Sequence, residues 1–238
     1  MNPLLLQIRD PDDDIRHHEV DCFARVAGVE FTSIQILDLL NEDVTKERLQ
    51  PIDCVFVGGS GKYSAAGESS DWLERALESL RIVHGSGTPT FASCWGHQAM
   101  TRAMGGTVIH APETAEVGTI EMRLTDAAQS DPIYGDVSDP FVAQVGHEDT
   151  VTKLPPNTTL LVSSDRCPTH AYRFDDAPVY CTQFHPELTK DDLLKRLDAY
   201  PEYVESIAGI PMPEFKKQTC ASPVANQLVR RFLTHFVR

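Results

Sequence analysis

Three short segments hold residue types whose spacing could do chemistry. The first, Thr88–Met100, reads T-P-T-F-A-S-C-W-G-H-Q-A-M. A short apolar run delivers Cys94 into a turn flanked by the small residues Ala92 and Gly96, and a helical pattern follows. That is the form of a nucleophile elbow with sulfur in place of a serine oxygen. A thiol at a helix N-terminus has its thiolate stabilised by the helix dipole and the first N–H groups. The plain alternative is a buried core cysteine, the usual fate of this residue type.

The second segment, Val179–Leu188, reads V-Y-C-T-Q-F-H-P-E-L. If the strand runs to its end, His185 and Glu187 face the same side, because strand side chains repeat every two residues. A carboxylate placed there can orient an imidazole and stabilise its charged form, as the third member of a nucleophile–base–acid relay does. A surface turn at Pro186 is the alternative. The third segment, Val55–Lys62, reads V-F-V-G-G-S-G-K. A phosphate-binding P-loop needs glycine at Phe56 and Ser or Thr at Tyr63, so that motif fails. An oxyanion hole, with backbone donors at Gly58 or Gly59 and at Trp95, is the better reading; a plain turn is the other.

Elements that would position these residues alternate along the chain. Leu4–Ile8, a stretch within Val29–Leu37, Ile52–Val57 and Thr88–Ser93 read as strands. Ile15–Ala27, Asp71–Val83 and Trp95–Met104 have helical spacing, and Gly105-Gly106 stops the last. Such alternation predicts an α/β fold with a mostly parallel central sheet flanked by helices. From Thr107 to Phe184 the runs Thr119–Leu124, Phe141–Val145, Thr159–Ser163 and Val179–Phe184 predict an added, partly antiparallel section. From Lys190 onward the pattern is helical, with a break near Gly209–Pro213, and its apolar stripe (Phe215, Leu228, Phe232, Phe236) is expected to cover the domain's own core. Without repeats or a low-complexity linker, residues 1–238 are expected to form a single domain.

Composition excludes other classes. The 238 residues are 41% hydrophobic and 24% charged, with a formal net charge of −14. That balance argues against a surface that tracks nucleic-acid phosphates and against an anionic membrane face, so neither partner is expected. The six cysteines form no C-x-x-C pair and show no zinc-ligand spacing. The N-terminal apolar run is too short for a signal peptide and is followed by acid. A reducing cytoplasm is therefore expected, with free thiols. His17, His18, His84, His97, His110, His170 and His235 read as surface or hydrogen-bonded histidines rather than metal ligands, since none has ligand spacing. His147 reads as a support for its own segment. No metal is expected.

Together the three segments resemble the class I (triad) glutamine amidotransferases, the family of the glutaminase half of GMP synthetase, over nearly the whole chain. P-T-F-A-S-C-W-G-H-Q resembles the family's cysteine elbow, Q-F-H-P-E its His–Glu motif, and V-G-G-S-G its oxyanion strand. V-G-H-E-D-T-V-T-K-L-P looks like its substrate-holding segment. The resemblance implies a flavodoxin-like fold, no cofactor, and Cys94, His185 and Glu187 as the triad. It implies Gly58, Gly59 and Trp95 at the oxyanion, with Gln98, Gly59 and Glu148 near the amino-acid end of glutamine. Ala92, Ser93 and Glu148 depart from the residues usual at those positions. Its activity would be glutamine hydrolysis to glutamate and ammonia through a thioester, the ammonia passing to a separate synthase subunit. A free-standing γ-glutamyl hydrolase or peptidase, and a non-catalytic binding protein of the same fold, are the alternatives. A related cysteine fold with chaperone or protease-like behaviour fits less well, because of the His–Glu pair.

Overall fold

The computed structural model describes residues 1–199, 201 and 203–237. Its strands are β1 (Pro3–Gln7), β2 (Gln35–Asp38), β3 (Cys54–Val57), β4 (Thr90–Ser93), β5 (Thr107–His110), β6 (Glu116–Leu124), β7 (Phe141–His147), β8 (Asp149–Lys153), β9 (Thr158–Ser163), β10 (Ala171–Phe174) and β11 (Val179–Thr182). The helices are α1 (Ile15–Ala27), α2 (Lys46–Leu49), α3 (Asp71–Ser86), α4 (Trp95–Ala103), α5 (Lys190–Ala199), α6 (Met212–Gln218) and α7 (Leu228–Phe236). Nine strands form one sheet in the order β2-β1-β3-β4-β11-β10-β9-β6-β7, and β5 pairs separately with β8. The β2-β1-β3-β4-β11 half is parallel. The half beyond β11 is antiparallel.

Strand alternation builds two cores. On β1 and β3, Leu4, Leu6, Val55 and Val57 face one side, where Leu73, Leu77 and Leu80 of α3 and Met100 of α4 cover them. Leu5 and Phe56 face the other side, beneath Phe23 of α1 and Leu228, Val229 and Phe232 of α7. Phe23 stacks on Phe56 at 4.9 Å, and Phe232 meets Phe91 edge-on at 5.5 Å. The C-terminal helix therefore packs on the chain's own core, as its stripe of apolar residues predicts. Helix α1 ends where Gly28 takes φ 71°, a left-handed cap that a side chain would strain.

The strand within Val29–Leu37 and the strand from Val179 are both present, with bounds that differ from those expected. The second strand begins only at Gln35, because Phe31–Ser33 winds into a 3-10 turn first. β11 stops at Thr182, short of Phe184, and it runs parallel to β4 while pairing antiparallel with β10. It is thus the seam between the two halves, in keeping with a section that is only partly antiparallel. Beyond Thr182 the chain leaves the ladder: the His185 N–H donates to the Gln144 carbonyl at 2.8 Å. Pro186 has no N–H with which to resume pairing. Among the described residues, no helix is long and apolar enough to cross a membrane.

Candidate active site

Each chemical segment lies just beyond the carboxyl end of a parallel strand. Gly58-Gly59 follow β3, Cys94 follows β4 and His185 lies beyond β11, and these three strands are adjacent in the sheet. This edge of an open α/β sheet is where ligands characteristically bind.

Cys94 caps α4 with φ 52° and ψ −105°, a conformation that side chains other than glycine's rarely adopt. Its N–H is held by the Thr182 carbonyl at 2.8 Å, and the Gln98 N–H already donates to the Cys94 carbonyl at 3.1 Å. The strain is therefore fixed from both sides. Gly96 lets α4 approach β3: a Cβ there would lie 2.7 Å from the Val57 carbonyl oxygen. The Cys94 sulfur faces the Gly146 carbonyl at 3.7 Å.

His185 Nδ1 lies 2.7 Å from Glu187 Oε1, and both residues are buried. Their side chains meet across the turn His185–Leu188, closed by Leu188 N–H to His185 C=O at 3.2 Å. The same-side geometry expected from strand alternation thus arises from a turn. Burial alone would lower the His185 pKa. The Glu187 carboxylate and the Cys94 sulfur outweigh it and raise the imidazole from 6.5 to about 9. Burial would raise Glu187, but His185 and then Arg196 hold it below the usual carboxylate range.

The glycine loop is arranged differently from the expectation. The Gly58 N–H donates to the Leu6 carbonyl at 3.1 Å, and the Gly59 N–H donates to Glu19 Oε1 at 3.0 Å. Neither is directed at Cys94, because strand pairing uses one and a buried carboxylate uses the other. Trp95 opens α4, where the first N–H groups have no intrahelical carbonyl. What Gly59 supplies is close approach: a Cβ there would stand 3.1 Å from His185 Cε1 and 3.7 Å from the Cys94 Cβ.

Sequence reading missed the charges behind this loop. Glu19 of α1 binds Arg9 at 3.2 Å, and Arg196 of α5 lies 3.9 Å from Glu19 and 3.7 Å from Glu187. Buried guanidinium and carboxylate groups thus connect the glycine loop to the triad's acid. No local motif announces them, because they come from three separate parts of the chain.

Beside Cys94 lies a pocket of about 220 Å³, lined by Ser60, Lys62, Trp95, Gln98 and Glu148 among others. The Gln98 side-chain amide donates to the Asp149 carbonyl and to Gln183, so it holds the segment after Gly146. The Glu148 carbonyl accepts the Ala111 N–H, which leaves its half-buried carboxylate to line the pocket. His147 bonds Glu116 and the Asp149 carbonyl within the fold, in keeping with a supporting role.

Comparison with known proteins adds an independent line. The family model described as Glutamine amidotransferase class-I matches residues 12–195. The chain is 31% identical over 163 residues to a glutamine-hydrolysing GMP synthase of Lactobacillus delbrueckii, a match over 67% of this chain that spans only 30% of that protein. It is 30% identical over 171 residues to a glutamine-hydrolysing GMP synthase subunit of Pyrococcus furiosus, covering 72% of this chain and 83% of the relative. γ-Glutamyl peptidase 3 of Arabidopsis thaliana is 30% identical over 146 residues, 60% of this chain and 58% of the relative. The crystal structure of a glutamine amidotransferase from Thermotoga maritima superposes with a TM-score of 0.76 at 18% identity, covering 100% of this chain and 99% of that one.

Proposed function

The chain belongs to the class I glutamine amidotransferase family, and from that premise we propose that it hydrolyses the side-chain amide of glutamine through a thioester on Cys94. The observation that carries this reading is a cysteine on a strained elbow, beside a buried His185–Glu187 pair 2.7 Å apart. We read residues 1–238 as one amidotransferase-like domain working in the cytoplasm, where the six unpaired cysteines would stay reduced.

The Cys94 thiolate attacks the amide carbon while the proton rests on His185. With its pKa raised to about 9, His185 carries that proton at neutral pH. Collapse of the tetrahedral intermediate breaks the C–N bond, and His185 gives its proton to the departing ammonia. The neutral imidazole then takes a proton from water, whose oxygen attacks the thioester. Collapse of the second intermediate expels the Cys94 thiolate and releases glutamate. Glu187 holds the imidazole in place. The Trp95 N–H and the positive end of α4 face the developing oxyanion. The Glu148 carboxylate is suited to the ammonium group of the substrate, and Gln98 positions the segment that carries it.

Likeness to a GMP synthase subunit over 83% of its length favours transfer of the ammonia to a separate synthase. A second reading, hydrolysis of larger γ-glutamyl compounds, is favoured by the pocket mouth. There the Lys62 and His110 side chains are 61% and 59% exposed, so space continues beyond the amide. The test is release of glutamate and ammonia from glutamine, and of glutamate from a γ-glutamyl dipeptide, with Cys94→Ala as control. Turnover lost in Cys94→Ala supports the triad, and preference for the dipeptide selects the second reading. Equal turnover by Cys94→Ala protein overturns both.

A further inference from the structure

Away from the triad, the antiparallel half gathers Glu116, His147, Cys167 and His170. All four are buried, and their ligand atoms lie within 4.8 Å of one another. Glu116 opens β6 and is the register partner of His147 on β7. Cys167 and His170 come from the loop before β10. That loop is held by the Ser164 N–H to the Cys167 carbonyl at 2.8 Å and by the Gln183 N–H to the His170 carbonyl at 2.7 Å.

The protons in this cluster do not suffice for its lone pairs. His147 Nδ1 lies 3.1 Å from the Asp149 carbonyl, which can only accept, so Nδ1 carries the proton. In a neutral ring Nε2 then turns a lone pair toward Glu116 Oε2 at 3.2 Å. Two such atoms face each other stably only with a proton or a metal ion between them. His170 Nε2 approaches the same oxygen at 2.7 Å, and its Nδ1 is buried without a partner.

Charge points the same way. Among the described residues, the ion-pair partners of Glu116 are these two imidazoles, with no lysine or arginine. A buried anion without a countercharge is costly. The contrasting group, His18, Cys22 and Asp192, has no such deficit, because Arg25 neutralises Asp192.

We propose that Glu116, His147, Cys167 and His170 bind one zinc ion as a closed, structural site. Carboxylate and thiolate together balance a divalent charge, and one sulfur with two imidazoles and an oxygen is a set that zinc accepts. Ligand atoms around four-coordinate zinc stand roughly 3.2–3.8 Å apart. The 3.2 Å pair already has that spacing, and the 2.7 Å pair must part by about half an ångström. An outer shell is present: His147 Nδ1–H donates to Asp149, and the Ser164 hydroxyl donates to Glu116 Oε1 at 2.8 Å. Glu116 also lines a surface pocket of about 240 Å³, which gives the ion a route in. The ion would tie β6 and β7 to the loop before β10, beneath the Gly146–Asp149 segment that faces Cys94.

The test needs no activity. Full-length protein stripped with a chelator is titrated with Co²⁺ alone. One equivalent should bind with four-coordinate absorption and a thiolate-to-cobalt charge-transfer band, and zinc should displace it. Cys167→Ala should abolish the band and weaken zinc binding by more than about 100-fold, beyond the effect of losing an outer-shell partner. Cys22→Ala and Cys94→Ala should keep it. Circular dichroism establishes that each variant is folded. Wild-type protein that binds no cobalt overturns the proposal whatever the variants do, as does a band that survives in folded Cys167→Ala or disappears in Cys22→Ala.

Discussion

Replacing Glu187 with glutamine keeps the shape of the side chain and removes its charge, which isolates what the carboxylate does for His185. The imidazole is lifted from 6.5 to about 9 against the opposing effect of burial, with Glu187 the largest contributor to the lift. A rise of that size corresponds to about 3 kcal/mol in favour of the protonated ring. Without the charge, only the Cys94 sulfur still opposes burial and the nearby Arg196 guanidinium, 3.7 Å from Glu187, so the pKa falls back toward its ordinary 6.5. A raised pKa keeps the ring protonated up to about pH 9, so the mutation moves the alkaline limb of activity toward acid, by up to about two pH units. At pH 8 the protonated fraction would fall by up to roughly 30-fold. Lost orientation of the ring would add to that, toward the roughly 10⁴-fold known for an acid-to-amide change in a serine triad. The assay is kcat/KM for glutamine across the neutral and alkaline range, for Glu187→Gln and wild type, with folding checked by circular dichroism. Superimposable alkaline limbs would refute the assignment of Glu187 as the group that sets His185.

Gly59→Ala should leave the fold intact but cut kcat by roughly 10–100-fold, because the new methyl would stand 3.1 Å from His185 Cε1 and displace the ring; wild-type kcat would count against the packing argument. Glu19→Gln should lower unfolding stability by about 3 kcal/mol, at the low end for breaking a buried ion pair, since Asp13 still faces Arg9 and Glu187 still faces Arg196. Denaturant titration reads this, and an unmoved midpoint would mean that the pair contributes nothing net. Phe232→Ala should cost about 3–5 kcal/mol by emptying a site packed against Phe91 and Tyr180. A loss under about 1 kcal/mol in the same titration would show that α7 is only loosely docked.

The parallel half of the fold was legible because its cues are local. Helix α1 fills the predicted stretch from Ile15 to Ala27, and α3 starts at Asp71 as its apolar spacing requires. The elbow was legible too: small residues around Cys94 and a helical pattern after it are signals of sequence, and the strained φ of 52° is their structural outcome. Less legible was the end of β11. Apolar residues continue to Phe184, but Pro186 and the hydrogen bond from His185 to Gln144 take the chain out of the ladder. Periodicity cannot register a bond to a residue so distant along the chain.

The alternating elements, the order of the three chemical segments and the residue types that could carry a thioester all follow from the chain alone, because each depends on close neighbours. How the N–H groups of the glycine loop are used was settled in three dimensions. Gly59 donates to Glu19 because α1 packs a carboxylate behind β3, and nothing near Gly59 in the chain encodes that. Likewise Arg196 reaches Glu187 from α5, and Glu116, His147, Cys167 and His170 converge from two strands and a loop. One cause is common to all of them. Propensity and periodicity act over a few residues, whereas the partner of a buried charge is chosen by which elements the sheet order brings together.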